Sequence, residues 1–222
     1  SIFAQNRKEY YFSFPVNTRS EIDAVSGLIS IDNVRNDTVW AYANQEQFLK
    51  FCARGYDINL LPAPGYKPDV EMSDYGMLSP SATWNYYPTY AAYESLMTQF
   101  QSSYPGLCHV SVLTTLSSGR KIMMAKISDN VASDEPEPEV LYTSSIHGDE
   151  TTGYILMLHL IDYLLANYGS NAEVTDLVNN LEIYINPLAN PDGTYAGGNN
   201  TVSGSTRYNA NEVDLNRNYP DP

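Results

Sequence analysis

Two short runs hold the side chains best suited to chemistry. His147-Gly148-Asp149-Glu150 sets an imidazole and a carboxylate three residues apart, where the strand-type run Val140 to Ile146 gives way to a helical pattern. A strand end fixes the imidazole, and the i,i+3 offset across the turn brings the carboxylate beside it. Both can then bind one metal ion. Taken alone, H-x-x-E also occurs on ordinary surface helices, so this reading needs context. The second run, Arg207 to Pro220, carries two arginines and several amides in a chain with only 12 basic residues. Guanidinium groups grip carboxylates through paired hydrogen bonds that lysine cannot imitate. The same composition also suits a solvated polar loop.

The elements around these runs alternate. Tyr90, Tyr93, Leu96, Met97 and Phe100 repeat at helical spacing, and Tyr104-Pro105-Gly106 ends that helix. Strands follow over 109–116 and 121–128, joined at Gly119-Arg120, which is read as a hairpin turn before any substrate contact. A buried-type strand over 140–146 runs into His147, a helix spans 150–166, another spans 174–181, and a strand begins at Glu182. This pattern predicts an α/β domain with a mixed, largely parallel sheet and helices on both faces. Ligands gather at the carboxyl ends of such strands, where His147 falls. Asp192-Gly193 is turn chemistry first. His109 and His159 are placed away from this end and are read as ordinary histidines.

Ahead of this lies a smaller unit. Aromatic and β-branched residues over 10–16, a helix capped by Thr18 or Ser20, a hairpin turning at Arg35-Asn36-Asp37, a helix opening at Asn44 with Gln47, and a strand through Leu61 give the order β-α-β-β-α-β. That is a ferredoxin-like α+β arrangement. Residues 1–62 are assigned to it, 63–83 to a proline-spaced linker or crossing strand, and 84–222 to the larger domain.

Twenty-six acidic against 12 basic residues give a formal charge of -14. Such a surface repels phosphate backbones and disfavours nucleic-acid binding. No run reaches the ~18 apolar residues of a membrane span. Cys52 and Cys108 lack metal-site spacing and are read as two small buried residues. Ser1 to Gln5 is similar to the end of a secretion signal, which points to a secreted or periplasmic protein.

The motifs His147-Gly148-Asp149-Glu150, Asn186-Pro187 through Asn190-Pro191-Asp192-Gly193, and Arg207-x-Asn209-x-Asn211-x-x-Asp214-Leu215-Asn216-Arg217-Asn218-x-Pro220, in this order, resemble the zinc metallocarboxypeptidase family. The resemblance covers about residues 84 to 222, the first half of such a catalytic domain, and the front unit resembles these enzymes' prosegments in element order. It implies that His147 and Glu150 bind Zn2+ and that Asp214 fixes the imidazole from behind. Arg207 would stabilise the oxyanion, while Asn216 and Arg217 would hold the free carboxylate of a peptide substrate. It further implies that the third zinc ligand, the catalytic glutamate and a tyrosine follow Pro222, so that this chain alone binds zinc weakly and hydrolyses nothing. A zinc deacylase of the aspartoacylase kind shares some of these pieces, and a non-catalytic peptide-carboxylate binding module is a third reading. The front unit is either an inhibitory prosegment or a retained accessory domain, in contact with the catalytic part.

Overall fold

Alternation of side chains along Glu9–Pro15 gives strand β1 two different faces. Phe12 and Phe14 turn to a core shared with Val25, Val39, Ala41 and Phe51, while Glu9 and Tyr11 turn the other way. The computed structural model describes residues 9–74 and 84–219. After β1 come helix α1 (Arg19–Ser26), strands β2 (Ser30–Arg35) and β3 (Thr38–Asn44), helix α2 (Gln45–Cys52) and strand β4 (Asn59–Leu61). Thr18 caps α1. Asn44 and Gln47 form a reciprocal capping box at α2, with both bonds 2.9 Å. Asn36 and Asp37 hold left-handed φ values of 48° and 56°, as a tight hairpin turn requires. The strands lie in the order β2-β3-β1-β4, every neighbour antiparallel.

The second sheet is reached through β5 (Met72–Ser73), which pairs in parallel with β6 (Tyr87–Pro88). The 63–74 stretch is turn and irregular backbone, tied to the loop at 203–204 through Gly65 and Lys67, and only its last residues form a strand. Helix α3 (Tyr90–Ser103), strands β7 (Cys108–Thr115), β8 (Lys121–Ile127) and β9 (Glu139–Thr143), helices α4 (Thr151–Asn167) and α5 (Ala172–Asn180), strand β10 (Glu182–Asn186) and the short α6 (Pro191–Thr194) follow. The strand order is β7-β8-β10-β9.

Four expectations change here. The sheet is mixed, but only β10 and β9 are parallel; β7–β8 and β8–β10 are antiparallel. Ala125, Ile127, Ile183 and Ile185 meet α3 and α4 on one face, whereas Ile122, Met124 and Tyr184 on the other stay half-buried. Among the described residues, helices are packed into the core on that one face only. Strand β9 stops at Thr143 rather than running into His147. Among the described residues it has a neighbour on one side alone, and Leu141 is 63% exposed. Cys108 is buried as expected, but Cys52 is exposed at the end of α2, and both are free thiols. The signal-like opening and Pro220 lie outside the described residues. No helix of the described residues is long and apolar enough to cross a membrane.

Candidate metal centre

The segment between β9 and α4 is built to turn sharply. Ser144 N–H donates to Asn186 O, and Asn190 N–H donates to Ser145 O, so the chain still tracks the end of β10. Ser145 adopts a left-handed φ of 55°, and its hydroxyl donates to Glu150 O at 2.8 Å. The chain then places His147, 4% exposed, against the two following loops. Gly148 is required there: a Cβ on it would stand 2.2 Å from the carbonyl carbon of Gly193. Thr194 donates to Gly148 O, and Thr206 N–H to Gly193 O, lacing the three motif-bearing loops together. The Gly148→Ala variant is expected to lose about 1–3 kcal/mol, since backbone on both sides must shift. Urea unfolding of Gly148→Ala against Gly106→Ala, where a Cβ meets nothing, checks this.

Glu150 sits at the N-cap of α4 but makes no capping bond, which leaves its carboxylate free. It turns instead to His147, with Oε1 2.8 Å from Nδ1. On the other ring nitrogen, Nε2 stands 3.1 Å from Asp214 Oδ1. Asp214 caps the single 3-10 turn Leu215–Arg217 through Asn216 N–H and also receives Arg207 Nε–H at 2.8 Å. Burial raises the Asp214 carboxyl pKa, but bonds from His147, Ser30 and Arg207 outweigh it and hold the group ionised. An ionised Asp214 accepts from Nε2–H, so Nδ1 is the nitrogen turned toward Glu150. Burial works against a charged His147, yet Asp214 and Glu150 together raise its pKa. The charged ring is thus held between two carboxylates, with its Nδ1 proton on Glu150, and a divalent cation would take that proton's place.

These donors fit zinc. One imidazole nitrogen and one carboxylate oxygen face a common point, and tetrahedral ligands about 2.0–2.1 Å from the ion would lie roughly 3.3 Å apart. Separating the pair by a few tenths of an ångström suffices, and the 55% exposed Glu150 side chain is free to move. The remaining histidines do not join it. His159 stacks on Trp84 along α4, and exposed His109 lies on β7, at the sheet edge opposite β9.

Arg207 is buried with Asp214, and its guanidinium lies 5.1 Å from the Tyr42 ring centroid. Asn216 and Arg217 are exposed beside the same turn. The Arg217 guanidinium donates to Asn216 O and, at 3.4 Å, to Ile31 O of β2. Arg120 is held by Asp192 at 2.8 Å and by Asn199, and Gly119 has the turn's positive φ of 85°.

Sequence reasoning missed what the first sheet does here. Tyr42 Oη donates to Asp149 Oδ2 at 2.9 Å, the Tyr208 hydroxyl reaches Ser30 and Gln47, and Asn44 donates to Glu212 O. Tyr11 and Tyr42 are cross-strand partners, so the strand period that buries Phe12 also turns these rings outward. Glu9, 7% exposed, accepts from Tyr208 N–H. Burial pushes the Glu9 carboxyl up to about 8, reinforced by Asp149 and partly offset by backbone donors at Tyr208 and Arg207. The folded state thus holds this proton to higher pH than the unfolded chain. The contribution is full below about 4.5 and falls as pH rises toward 8, by at most about 1.4 kcal/mol per pH unit. Glu9→Gln removes the titration and is expected to flatten the decline in urea midpoint between pH 5 and 8. Parallel profiles for the variant and the parent would refute it.

A model of the zinc carboxypeptidase family matches residues 93–222. The chain is 41% identical to human carboxypeptidase D over 132 residues, 58% of this chain and 9% of that protein. It is 34% identical to mouse carboxypeptidase M over 130 residues, 58% of this chain and 29% of that one. Each match therefore spans less than a third of the curated relative. The crystal structure of carboxypeptidase A from Helicoverpa armigera superposes with a TM-score of 0.60 at 19% identity, over 91% of this chain and 53% of that one, a likeness of fold. With the matched model spanning more than half of the 222 residues and the motifs gathered at one sheet end, the chain belongs to the zinc carboxypeptidase family.

Proposed function

We propose that the whole protein is a zinc-dependent metallocarboxypeptidase that removes the C-terminal residue of peptides, with His147 and Glu150 as two of its metal ligands. The observation that carries this reading is the pair of contacts on one imidazole: Glu150 at Nδ1 and Asp214 at Nε2. Zinc, when bound, would polarise the scissile carbonyl and lower the pKa of its water toward ~7. The chain's own residues do the rest. Asp214 holds the ring's tautomer and fixes Arg207. Arg207 stabilises the oxyanion once its guanidinium is uncovered from the Tyr42 ring, and Asn216 with Arg217 receives the substrate's free carboxylate.

A substrate chosen by its carboxylate must carry one. Free-acid peptides are expected to be cleaved and their C-terminal amides left intact, and Arg217→Met is expected to lower kcat/KM about 10–100-fold on the free acid. Comparable cleavage of the amide would instead favour a deacylase or endopeptidase.

We further propose that residues 1–62 form a ferredoxin-like unit acting as an inhibitory prosegment of a secreted enzyme. Its support is the strand order β2-β3-β1-β4 and the fact that Arg217 and Asp149 are both engaged from that sheet. Reading the amino terminus of the mature protein tests it. A start beyond residue 62 supports removal, and a start near Gln5 argues for a retained accessory unit.

A further inference from the structure

Between β4 and β5 the chain runs close along the loop that follows α6. Gly65 is buried there, and a Cβ on it would overlap Ser205 O at 1.8 Å. Gly204 N–H donates to Gly65 O at 2.8 Å, and Lys67 N–H donates to the Ser203 hydroxyl at 3.2 Å. Proline at 68 restricts Lys67 to an extended backbone. So anchored, the half-buried Lys67 side chain reaches α4, where Nζ donates to Asp149 O at 3.1 Å and to Thr151 Oγ1 at 3.0 Å. Thr151 passes the chain of bonds to Tyr87 Oη at 3.1 Å. Asp149 and Thr151 are the two residues flanking Glu150.

A cation at a helix N-terminus opposes the helix dipole, and the charge that favours Lys67 there is the nearby Asp149 carboxylate. The ammonium also bridges the Asp149 carbonyl, one residue before the N-cap Glu150, to the Thr151 hydroxyl in the first turn of α4. That bridge fixes the rotation of the residue between them. Glu150 has no capping bond of its own and a mostly exposed side chain, so its direction depends on the backbone that carries it.

We propose that Lys67, which lies outside the segment the family model matches, is a positioning residue that holds Glu150 in its metal-binding orientation. The inference rests on the zinc reading of His147 and Glu150. In the whole protein, Lys67→Met is expected to weaken zinc binding about tenfold, in the range typical of partners that orient a ligand. It should also speed hydrogen exchange at the first free amides of α4. Lys67→Arg keeps a donor of similar reach and is expected to bind zinc within about threefold of the parent, the span of ordinary context dependence. If Lys67→Met does not fold, Lys67→Gln, too short to span both acceptors, replaces it with the same expected loss.

Zinc affinity is to be read by competition with a chelator, alongside urea midpoints. A parent protein that binds no zinc would remove the metal reading itself. A parent that binds zinc, with Lys67→Met binding equally well whether or not its urea midpoint falls, would overturn this inference alone.

Discussion

His147→Ala in the whole protein is expected to weaken zinc binding on the order of 10³-fold, and Glu150→Ala on the order of 10²-fold. Partners that only orient a ligand cost about 10–100-fold, and a residue that donates directly to the ion costs at least as much. The larger value falls to His147 because it is buried and gripped by Asp214, and so brings a preset lone pair to the ion. Glu150 is exposed and brings less preorganisation. His159→Ala and His109→Ala are the controls, and both should bind zinc like the parent, since one histidine stacks on Trp84 and the other lies on the far strand. Competition titration with a chelator reads all four variants on one scale. Equal losses across the four would mean that the histidines serve the fold and not an ion.

Arg207→Met should lower kcat by about 10²–10³-fold with a much smaller change in KM, the magnitude found when one donor to a developing oxyanion is removed. The geometry separates two jobs of this side chain. Its Nε–H is committed to Asp214, while the rest of the guanidinium lies under the Tyr42 ring. If the front unit is displaced, that part of the group becomes available to substrate. Zinc affinity measured on the same variant tells the jobs apart: an intact affinity with a lost kcat assigns the effect to substrate, and a parallel fall in both assigns it to Asp214. An Arg207→Met enzyme with unchanged kcat would remove Arg207 from the reaction.

Much of this arrangement was legible in residue order. The front unit's elements followed from the alternation in β1 and from local signals: the Asn44–Gln47 capping box and the left-handed Asn36-Asp37 turn are decided within a few residues. That the His147 and Glu150 side chains meet was legible for the same reason, the two being three apart across one turn. Asp214, 67 positions away from His147, was reached only through the family resemblance.

Strand direction was not legible. The apolar runs over β8 and β10 do not encode whether they pair parallel or antiparallel, because either ladder buries Ala125 against Ile185. The exposure of β9 was missed because strand composition reports burial only when neighbours exist on both sides. The contacts of Glu9 and Lys67 depend on partners far along the chain, at Tyr208 and Thr151. Neither residue carries a local mark beyond its charge. The close pair Gly148 and Gly193 did leave a trace, one glycine in each of two motifs, which a reading of backbone approach could have joined.

The central claim is that one ion meets Nδ1 of His147 and the carboxylate of Glu150 together. Anomalous diffraction at the zinc edge from crystals of the whole protein tests it most directly. The account predicts a peak about 2.0–2.2 Å from both atoms, with Asp214 still bonded to Nε2. A peak on Nε2, or one that touches neither side chain, would contradict it.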